Sequence, residues 1–504
     1  MAKNVGRLFL FRSTAVTSSR QLSTAPATAA TVIKKMNENS SLFYRLATLK
    51  ATTNTEVSEI LDEYVKNGHT ISRFEIIGFA TQLRKFKHYD QALQLYEWMD
   101  KSKNRMNNAD HAVRIDLLAK TKGIDSAESY FNKLEKSGKT KKTYGALLNC
   151  YCGEAKLDKA LELFQEMKKL NFVTGTLTYN NLMSLYMKVG QPEKLPAIVK
   201  EMEEKNITAD GFTHSLLINS YAALKDFESM EAVMKKIEQN TKDDWFMYGN
   251  LATVYVNAGL LDKANATLLK MEKQKHFSDP EALHTLINLY GRTSNAAGVN
   301  RAWENLKVFF PKTGNRSYLI MLLALSKLGD VNGLEKIFKE WESSCSTYDV
   351  RLSNVVLESY LNRNMVREAE SLYKSLETRE VEPNLKTCTL FMNFHLKKKQ
   401  VDLAFEFLER GVSKLSQTTT KWFPSQESVS AFFELFEEGK DVDGAEKFCK
   451  SMKKINRLDG KVYDFLLHTY ITAGKVEPQM RQRMKEDGIE ISTETEKLLH
   501  TVCP

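Results

Sequence analysis

Apolar residues recur along this chain with the spacing of amphipathic helices, and two such helices fit within each stretch of about 35 residues. Within residues 176–210, one set has the i, i+3, i+4, i+7 spacing of a helix face: Tyr179, Leu182, Met183 and Tyr186. Gly190 then favours a helix end, because glycine adopts the left-handed conformation at low cost. A second set follows with the same spacing: Leu195, Ile198, Val199 and Met202. The pattern predicts two antiparallel helices, the second of which starts late or bends at Pro196.

This unit is repeated. Similar phrases open successive stretches, such as Thr143–Leu148, Thr178–Met183 and Phe212–Leu217, and repeats begin at residues 141, 176, 211, 245, 280, 315, 350 and 385. A nearly constant period of this size indicates a solenoid, because each unit buries its apolar faces only by stacking on its neighbours. We therefore predict an all-α fold, a right-handed superhelical solenoid of antiparallel helix pairs with about eleven 35-residue repeats.

The ends of the chain differ from the repeats. Residues 1–37 are rich in Ser, Thr and basic residues and contain no acidic residue, which predicts a mitochondrial transit peptide with cleavage after Leu22. A helical N-terminal cap is expected at 38–71 and the solenoid at 72–493. Thr493 and Glu496 have the spacing of a capping box, which predicts a capping helix over 494–504.

Composition narrows the classes of function. The 504 residues include 72 Lys and Arg against 63 Asp and Glu, a net charge of +9, which is compatible with a polyanionic partner. No run of 18 apolar residues occurs, so no membrane insertion is expected. The six cysteines form no C-x-x-C pair, so the sequence signals neither a metal site nor a disulfide framework.

No catalytic motif was found. The chain lacks the H-x-E and C-x-x-C pattern of zinc deaminases, a phosphate-binding glycine loop and a G-x-S-x-G turn. Asp441 and Asp443 lie between two predicted helices, where they indicate turn and cap residues rather than magnesium ligands. We predict that the protein is not an enzyme and uses no cofactor or small-molecule substrate.

The 35-residue period, the Thr178–Met183 opening and the Ala160–Met167 second helix resemble pentatricopeptide repeats. The resemblance covers residues 72 to 493 and is closest to plant organellar proteins built only from the standard unit, one of which is a mitochondrial ribosome constituent. Membership would imply RNA binding, with one base per repeat. The fifth and last residues of a unit would select the base, and the second residue would pack on its faces.

If the family's base-selecting positions are transferred to this sequence, the resemblance implies a few candidate residues. Asn180 with Asp210 fits best and would favour uracil, Asn354 with Asn384 would favour a pyrimidine, and Ser215 with Asp244 weakly matches a guanine pair. Thr389 is a further candidate. Among the second residues, Leu177, Phe212 and Phe246 would pack on a base, and Arg351 would stack on one. At other repeats the match fails, as at Gly145 and Leu319, which offer no hydrogen-bonding side chain.

The sequence thus predicts a mitochondrial matrix protein that binds single-stranded RNA without catalysis and acts in RNA stability, processing or translation. Two alternatives stay open at this stage. One is a structural subunit of the mitochondrial ribosome that contacts rRNA and ribosomal proteins, which the incomplete base-selecting pattern favours. The other is a protein-interaction scaffold.

Overall fold

The computed structural model describes residues 42–46, 56–102, 106–240, 245–273, 279–415 and 424–503. Residues 42–46 are helical. The next eleven helices are α1 Val57–Lys66, α2 Arg73–Lys85, α3 Tyr89–Lys101, α4 Asn108–Lys122, α5 Ile124–Lys133, α6 Lys141–Gly153, α7 Leu157–Lys169, α8 Thr176–Lys188, α9 Leu195–Glu204, α10 Gly211–Ala223 and α11 Phe227–Asn240.

Fifteen further helices are described in the remainder of the chain. They are α12 Trp245–Asn257, α13 Leu261–Glu272, α14 Pro280–Arg292, α15 Ala296–Phe309, α16 Asn315–Leu328, α17 Val331–Ser344, α18 Val350–Asn362, α19 Val366–Thr378, α20 Leu385–Lys397, α21 Val401–Leu415, α22 Gln426–Gly439, α23 Val442–Lys454, α24 Gly460–Ala473, α25 Met480–Glu486 and α26 Thr493–Val502. The predicted all-α architecture is confirmed.

The helices form consecutive pairs, from α2 with α3 to α24 with α25. The described residues contain twelve pairs, the last with a second helix of only seven residues, against the eleven or so that were expected. The chain divides into two compact units, Met1–Met247 and Tyr248–Pro504, with the division inside α12. In each unit the first helices of successive pairs pack side by side. We call these the first-helix rows: α4, α6, α8 and α10 in unit 1, and α14, α16, α18, α20, α22 and α24 in unit 2.

Apolar side chains pack between the two helices of a pair, and in several pairs a hydrogen bond also joins them. The small residues at the twentieth place of the repeat, Ala160, Ala264, Ala369 and Ala404, are fully buried, as close helix approach requires. The tyrosine at the fourth place of the first helix donates its hydroxyl to a glutamate of the second: Tyr179 to Glu201 at 2.9 Å, and Tyr318 to Glu340 at 3.0 Å. In these pairs the bond links the first helix to the second.

Helix ends follow local sequence. Gly190 has a φ of 77°, a left-handed conformation that ends the turn after α8. Pro192 opens a short 3₁₀ turn, and α9 begins only at Leu195, with Pro196 in its first turn, where a missing backbone donor costs nothing. The predicted late start of this helix is confirmed.

The terminal segments are described only in part. The expected transit peptide at 1–37 lies outside the described residues. Within the expected 38–71 cap, residues 42–46 and α1 are helical, and α1 packs against α3. The C-terminal helix is present, but its predicted capping box was wrong: Ser492 is the N-cap and accepts a hydrogen bond from the Thr495 backbone, while Glu496 pairs with Arg481 at 2.8 Å. In the described residues, no helix is long and apolar enough to cross a membrane.

Candidate functional site

The best-matching candidate pair, Asn180 and Asp210, meets at the junction of two repeats. Asn180 lies on α8, and its Nδ2 donates to Asp210 Oδ1 at 3.2 Å. Asp210 is the N-cap of α10, where its carboxylate accepts the Thr213 backbone N–H at 2.8 Å. The Thr213 hydroxyl completes the cluster by donating to Asn180 Oδ1 at 2.8 Å. The structure therefore brings the predicted pair together and adds a third residue.

The second predicted pair has the same geometry in unit 2. Asn354 Nδ2 donates to Asn384 Oδ1 at 3.1 Å, and the Thr387 hydroxyl donates to Asn354 Oδ1 at 2.8 Å. Asn384 caps α20 by accepting the Lys386 and Thr387 backbone N–H groups. Both asparagines are buried, Asn180 at 3% exposure and Asn354 at 4%.

Sequence reasoning missed the third residue of the first helix. In four described junctions it hydrogen-bonds the fifth residue of the preceding first helix: Asn180–Thr213, His284–Ser317 at 2.8 Å, Asn354–Thr387, and Asp464–Thr495 at 2.7 Å. Where the fifth residue is Leu319, the third residue of the next helix is the buried, apolar Leu352. The sequence did contain a signal for this contact: a polar fifth residue in one first helix is followed, in the next first helix, by a Ser or Thr in the third place. The fifth residue thus joins adjacent repeats, whatever else it does.

The last residue of a repeat also has a structural role, because it is the N-cap of the next first helix. Asp279 and Asp349 cap α14 and α18 as Asp210 caps α10. Burial raises the pKa of the Asp210 carboxyl, but the hydrogen bonds from Thr213 and those from Thr176 and Asn180 outweigh it and lower the pKa. Asp210 is therefore anionic at neutral pH and acts as an acceptor.

The side chains in the second place differ in what they can contact. Leu177 and Phe212 are 74% and 44% exposed. They occupy the same place on two adjacent helices, α8 and α10, of the unit 1 row. In the sequence, Leu177 precedes the Asn180–Asp210 pair and Phe212 follows it. Exposed apolar side chains of this kind suit the faces of a base. Arg351 is also exposed, but its guanidinium pairs with the Asp349 carboxylate at 2.6 Å, so it has to leave that carboxylate to stack on a base.

The remaining candidates are less well placed. Ser215 is buried, with 2% exposure, and its predicted partner Asp244 lies outside the described residues. The Thr389 hydroxyl donates to the Leu385 carbonyl oxygen of its own helix at 2.8 Å. Of the polar candidates in this group and the Asn180–Asp210 pair, Asp210 is the exposed one.

Two first helices of unit 1 carry a lysine near the C-terminal end, which the sequence analysis did not predict as part of the site. Lys120 and Lys188 occupy the thirteenth place of α4 and α8, the same helix face as the second and fifth places. Lys188 is exposed and donates to the Gly153 carbonyl oxygen at the end of the preceding first helix. Such a lysine also interacts favourably with the helix C-terminus, whether or not it contacts a ligand.

The described residues offer no group of three or more His, Cys, Asp and Glu side chains that could hold a metal ion. Burial raises the pKa of the Cys150 and Cys152 thiols to about 12, so both are thiols in the packed interior rather than reactive thiolates. Asp441 accepts the Gly444 backbone N–H at 2.8 Å and caps α23, which confirms its interpretation as a cap residue.

Comparisons with known proteins agree with the repeat pattern. A profile of the PPR repeat family matches residues 174–223. A second profile, of the PPR repeat itself, matches residues 142–172 and 246–276. A mitochondrial pentatricopeptide repeat-containing protein of Arabidopsis thaliana is 40% identical over 507 residues, covering 100% of both chains. The large ribosomal subunit protein mL101 of the same plant is 44% identical over 453 residues, 89% of this chain and 92% of that one.

Among solved structures, the maize pentatricopeptide repeat protein PPR10 in complex with an 18-nt psaJ RNA element matches with 16% identity and a TM-score of 0.34, over 92% of this chain and 80% of that one. The Arabidopsis relatives are similar over almost the whole chain. Together with the matches to the repeat profiles, they show that the chain belongs to the pentatricopeptide repeat family.

Proposed function

We propose that this protein is a mitochondrial matrix protein that binds unpaired RNA on the first-helix row of unit 1 and acts without catalysis in RNA stability, processing or translation. The observation that carries the proposal is the cluster of Leu177, Asn180, Asp210 and Phe212. An amide and a carboxylate meet at the junction of α8 and α10, and these two helices also carry the exposed apolar side chains of Leu177 and Phe212. One unpaired base needs this combination: hydrogen-bonding partners for its edge and apolar surfaces for its faces.

The chemistry of the cluster favours a uracil. Asp210 is an acceptor only, and Asn180 offers both a donor and an acceptor, so together they can pair with the N–H and the carbonyl groups on the edge of uracil. Lys188 lies on the same helix face as Leu177 and supplies a cation for the adjoining phosphate. The names of the relatives support a mitochondrial location.

Ultraviolet crosslinking of the tagged protein in intact mitochondria, followed by sequencing of the protected RNA, tests this function. Short footprints in messenger RNAs that contain an unpaired uridine would support it. Recovery of no RNA above that of an untagged control would reject it and leave a protein scaffold.

A second candidate function is a structural role in the mitochondrial ribosome. It is favoured by the 44% identity to a large ribosomal subunit protein, over 89% of the chain. Such a subunit would co-sediment with the large ribosomal subunit in high salt, and its crosslinks would concentrate in one region of rRNA. Recovery only in light fractions after mild lysis would exclude this role.

A further inference from the structure

The first helices of the two units differ in their second residue. In unit 1 this place is mostly apolar: Phe74, Ala109, Leu177, Phe212 and Phe246, with Lys142 as the exception. In unit 2 it is charged in every repeat from α14 to α24: Glu281, Arg316, Arg351, Lys386, Glu427 and Lys461. The surface that can stack on bases in unit 1 therefore has no counterpart in the first-helix row of unit 2.

Three adjacent helices of unit 2 carry a cation at both ends. Each of α16, α18 and α20 has one in its second place, and we call these the N-terminal cations: Arg316, Arg351 and Lys386. Each has another at its C-terminal end, and we call these the C-terminal cations: Lys327, Arg363 and Lys397. The helices pack side by side in the row, so the six residues form two parallel lines of positive charge. Eleven or twelve residues separate the lines, about 16–18 Å at 1.5 Å per residue.

These cations can reach a ligand. The side chains of Arg316, Arg351 and Lys386 are 63%, 63% and 52% exposed, and each is held by one carboxylate: Glu281 at 2.6 Å, Asp349 at 2.6 Å and Glu358 at 3.2 Å. Ion pairs this exposed are weak, so a phosphate can take the place of the carboxylate. Lys327 and Lys397 are exposed, and Arg363 donates to the Ser359 hydroxyl at 2.9 Å.

Carboxylates flank the N-terminal cations on both sides, whereas the line of C-terminal cations continues onto α14 at Arg292. On α14 the second place holds Glu281, and on α22 the same helix face carries the carboxylates of Glu427, Glu434 and Glu438. A polyanion that follows the row would meet repulsion at α22. The part of the row with cations at both helix ends, the cationic patch, is therefore three helices wide, and it has no aromatic side chain in its second places.

From this arrangement we infer that α16, α18 and α20 bind the sugar-phosphate backbones of a base-paired RNA stem, with one strand along each line of cations. A single strand has one line of phosphates and could use only half of the patch, and the second places of these helices offer it no aromatic or apolar side chain. Double-stranded RNA presents two phosphate lines and is recognised by shape and backbone rather than by its stacked bases. Asn354 and Asn384 then serve only to join α18 to α20.

This inference rests on the proposed function, because both take RNA as the ligand. It assigns unpaired RNA to unit 1 and base-paired RNA to unit 2. Unit 2 would bind a stem, and unit 1 would bind an unpaired stretch.

The test measures affinity and its salt dependence for two probes, a blunt RNA hairpin with a short loop and an unstructured oligouridine. The variant combines Lys327→Glu with Lys397→Glu in the full chain. The matched control combines Lys336→Glu with Lys374→Glu, exposed lysines on the second helices α17 and α19 with the same change of charge. We expect the variant to weaken hairpin binding at least tenfold and to reduce the salt slope by about two, while the control changes neither.

The outcomes separate this inference from the proposed function. Hairpin binding that is unchanged in the variant, or reduced equally by the control, would overturn the assignment of the stem. Absence of hairpin binding in the wild-type chain, together with capture of an acidic protein segment by the same patch, would assign the patch to a protein instead. Loss of oligouridine binding on replacing Leu177 and Phe212 by serine, with hairpin binding retained, would support separate sites for the two forms of RNA.

Discussion

Asn180 Nδ2 lies 3.2 Å from Asp210 Oδ1, and this one contact joins the fifth residue of a first helix to the residue that caps the next. The same two side chains hold two repeats together and form the polar part of the candidate base site. An Asn or Asp at these places is therefore useful to the fold even where no RNA is bound, which explains why the same geometry recurs at Asn354 and Asn384. What distinguishes the Asn180 site is its pair of exposed apolar neighbours.

The Thr213 hydroxyl is expected to be important for both stability and binding. Thr213→Val keeps the volume of the side chain but removes the donor to the buried Asn180 Oδ1, and leaving such an acceptor without its partner costs about 1–3 kcal/mol. Urea unfolding of the full chain would show this loss. Thr208→Val, the same change at an exposed site in the loop before α10, should stay within about 0.5 kcal/mol of the wild type.

Replacing Leu177 and Phe212 together by serine should weaken oligouridine binding without unfolding the chain, because both side chains are exposed. Stacking contributes about 1–3 kcal/mol per base, so a loss of about fivefold to more than a hundredfold is expected in fluorescence anisotropy titrations. Phe86→Ser removes an equally exposed aromatic ring at the end of α2 and should leave the affinity unchanged. An equal loss in that control would show a non-specific effect.

Base selection by the Asn180 pair is tested with Asn180→Ala combined with Asp210→Asn, which retains a capping side chain on α10. Binding to a uridine-containing oligonucleotide should fall by about 1–3 kcal/mol, and binding to the same sequence with adenine in place of uracil should be unaffected. Asn354→Ala with Asn384→Asp is the matched change in unit 2 and should leave uridine preference intact. An equal decrease for both oligonucleotides would reject base selection by Asn180.

Acid should weaken unit 1 through Glu201. Burial alone would raise the pKa of this carboxyl, but hydrogen bonds from Lys168, Lys205 and Tyr179 lower it from 4.5 to about 2. A carboxyl whose folded pKa is depressed stabilises the fold above its unfolded pKa, and that stabilisation is lost as the pH falls from about 4.5 towards 2.

The corresponding variant is Glu201→Gln. We expect it to lower stability at pH 7 by about 1–2 kcal/mol, less than the pKa shift implies because the side chain is 31% exposed, and to flatten the acid limb of the unfolding curve. Thermal unfolding from pH 7 to pH 3 measures both effects. A variant that keeps the wild-type acid limb would show that other groups control it.

Much of the fold could be predicted from the sequence, because the same pattern of apolar residues occurs in each repeat. The i, i+3, i+4, i+7 sets located the helices, and Gly190 and Pro196 located a helix end and a late start. Ser492 was missed as the N-cap because Thr493 offered an equally good capping box one residue later. Cap choice depends on which hydroxyl the folded backbone places near the third N–H, and spacing alone does not decide that.

The candidate site was predicted only in part. Spacing placed Asn180 with Asp210 and Asn354 with Asn384, because a regular repeat sets equivalent residues at equivalent junctions. It could not show that Arg351 is already paired with Asp349, or that Ser215 is buried, because both depend on side-chain packing. The role of Thr213 required the distance across the junction between α8 and α10.

The most direct test of the account is to locate the contact on the protein. The full chain would be bound to an oligonucleotide with a single 4-thiouridine, irradiated and digested, and the crosslinked peptides identified by mass spectrometry. The account predicts crosslinks within residues 176–223, at or beside Leu177 and Phe212. Crosslinks confined to the second helices, or to the first-helix row of unit 2, would contradict it.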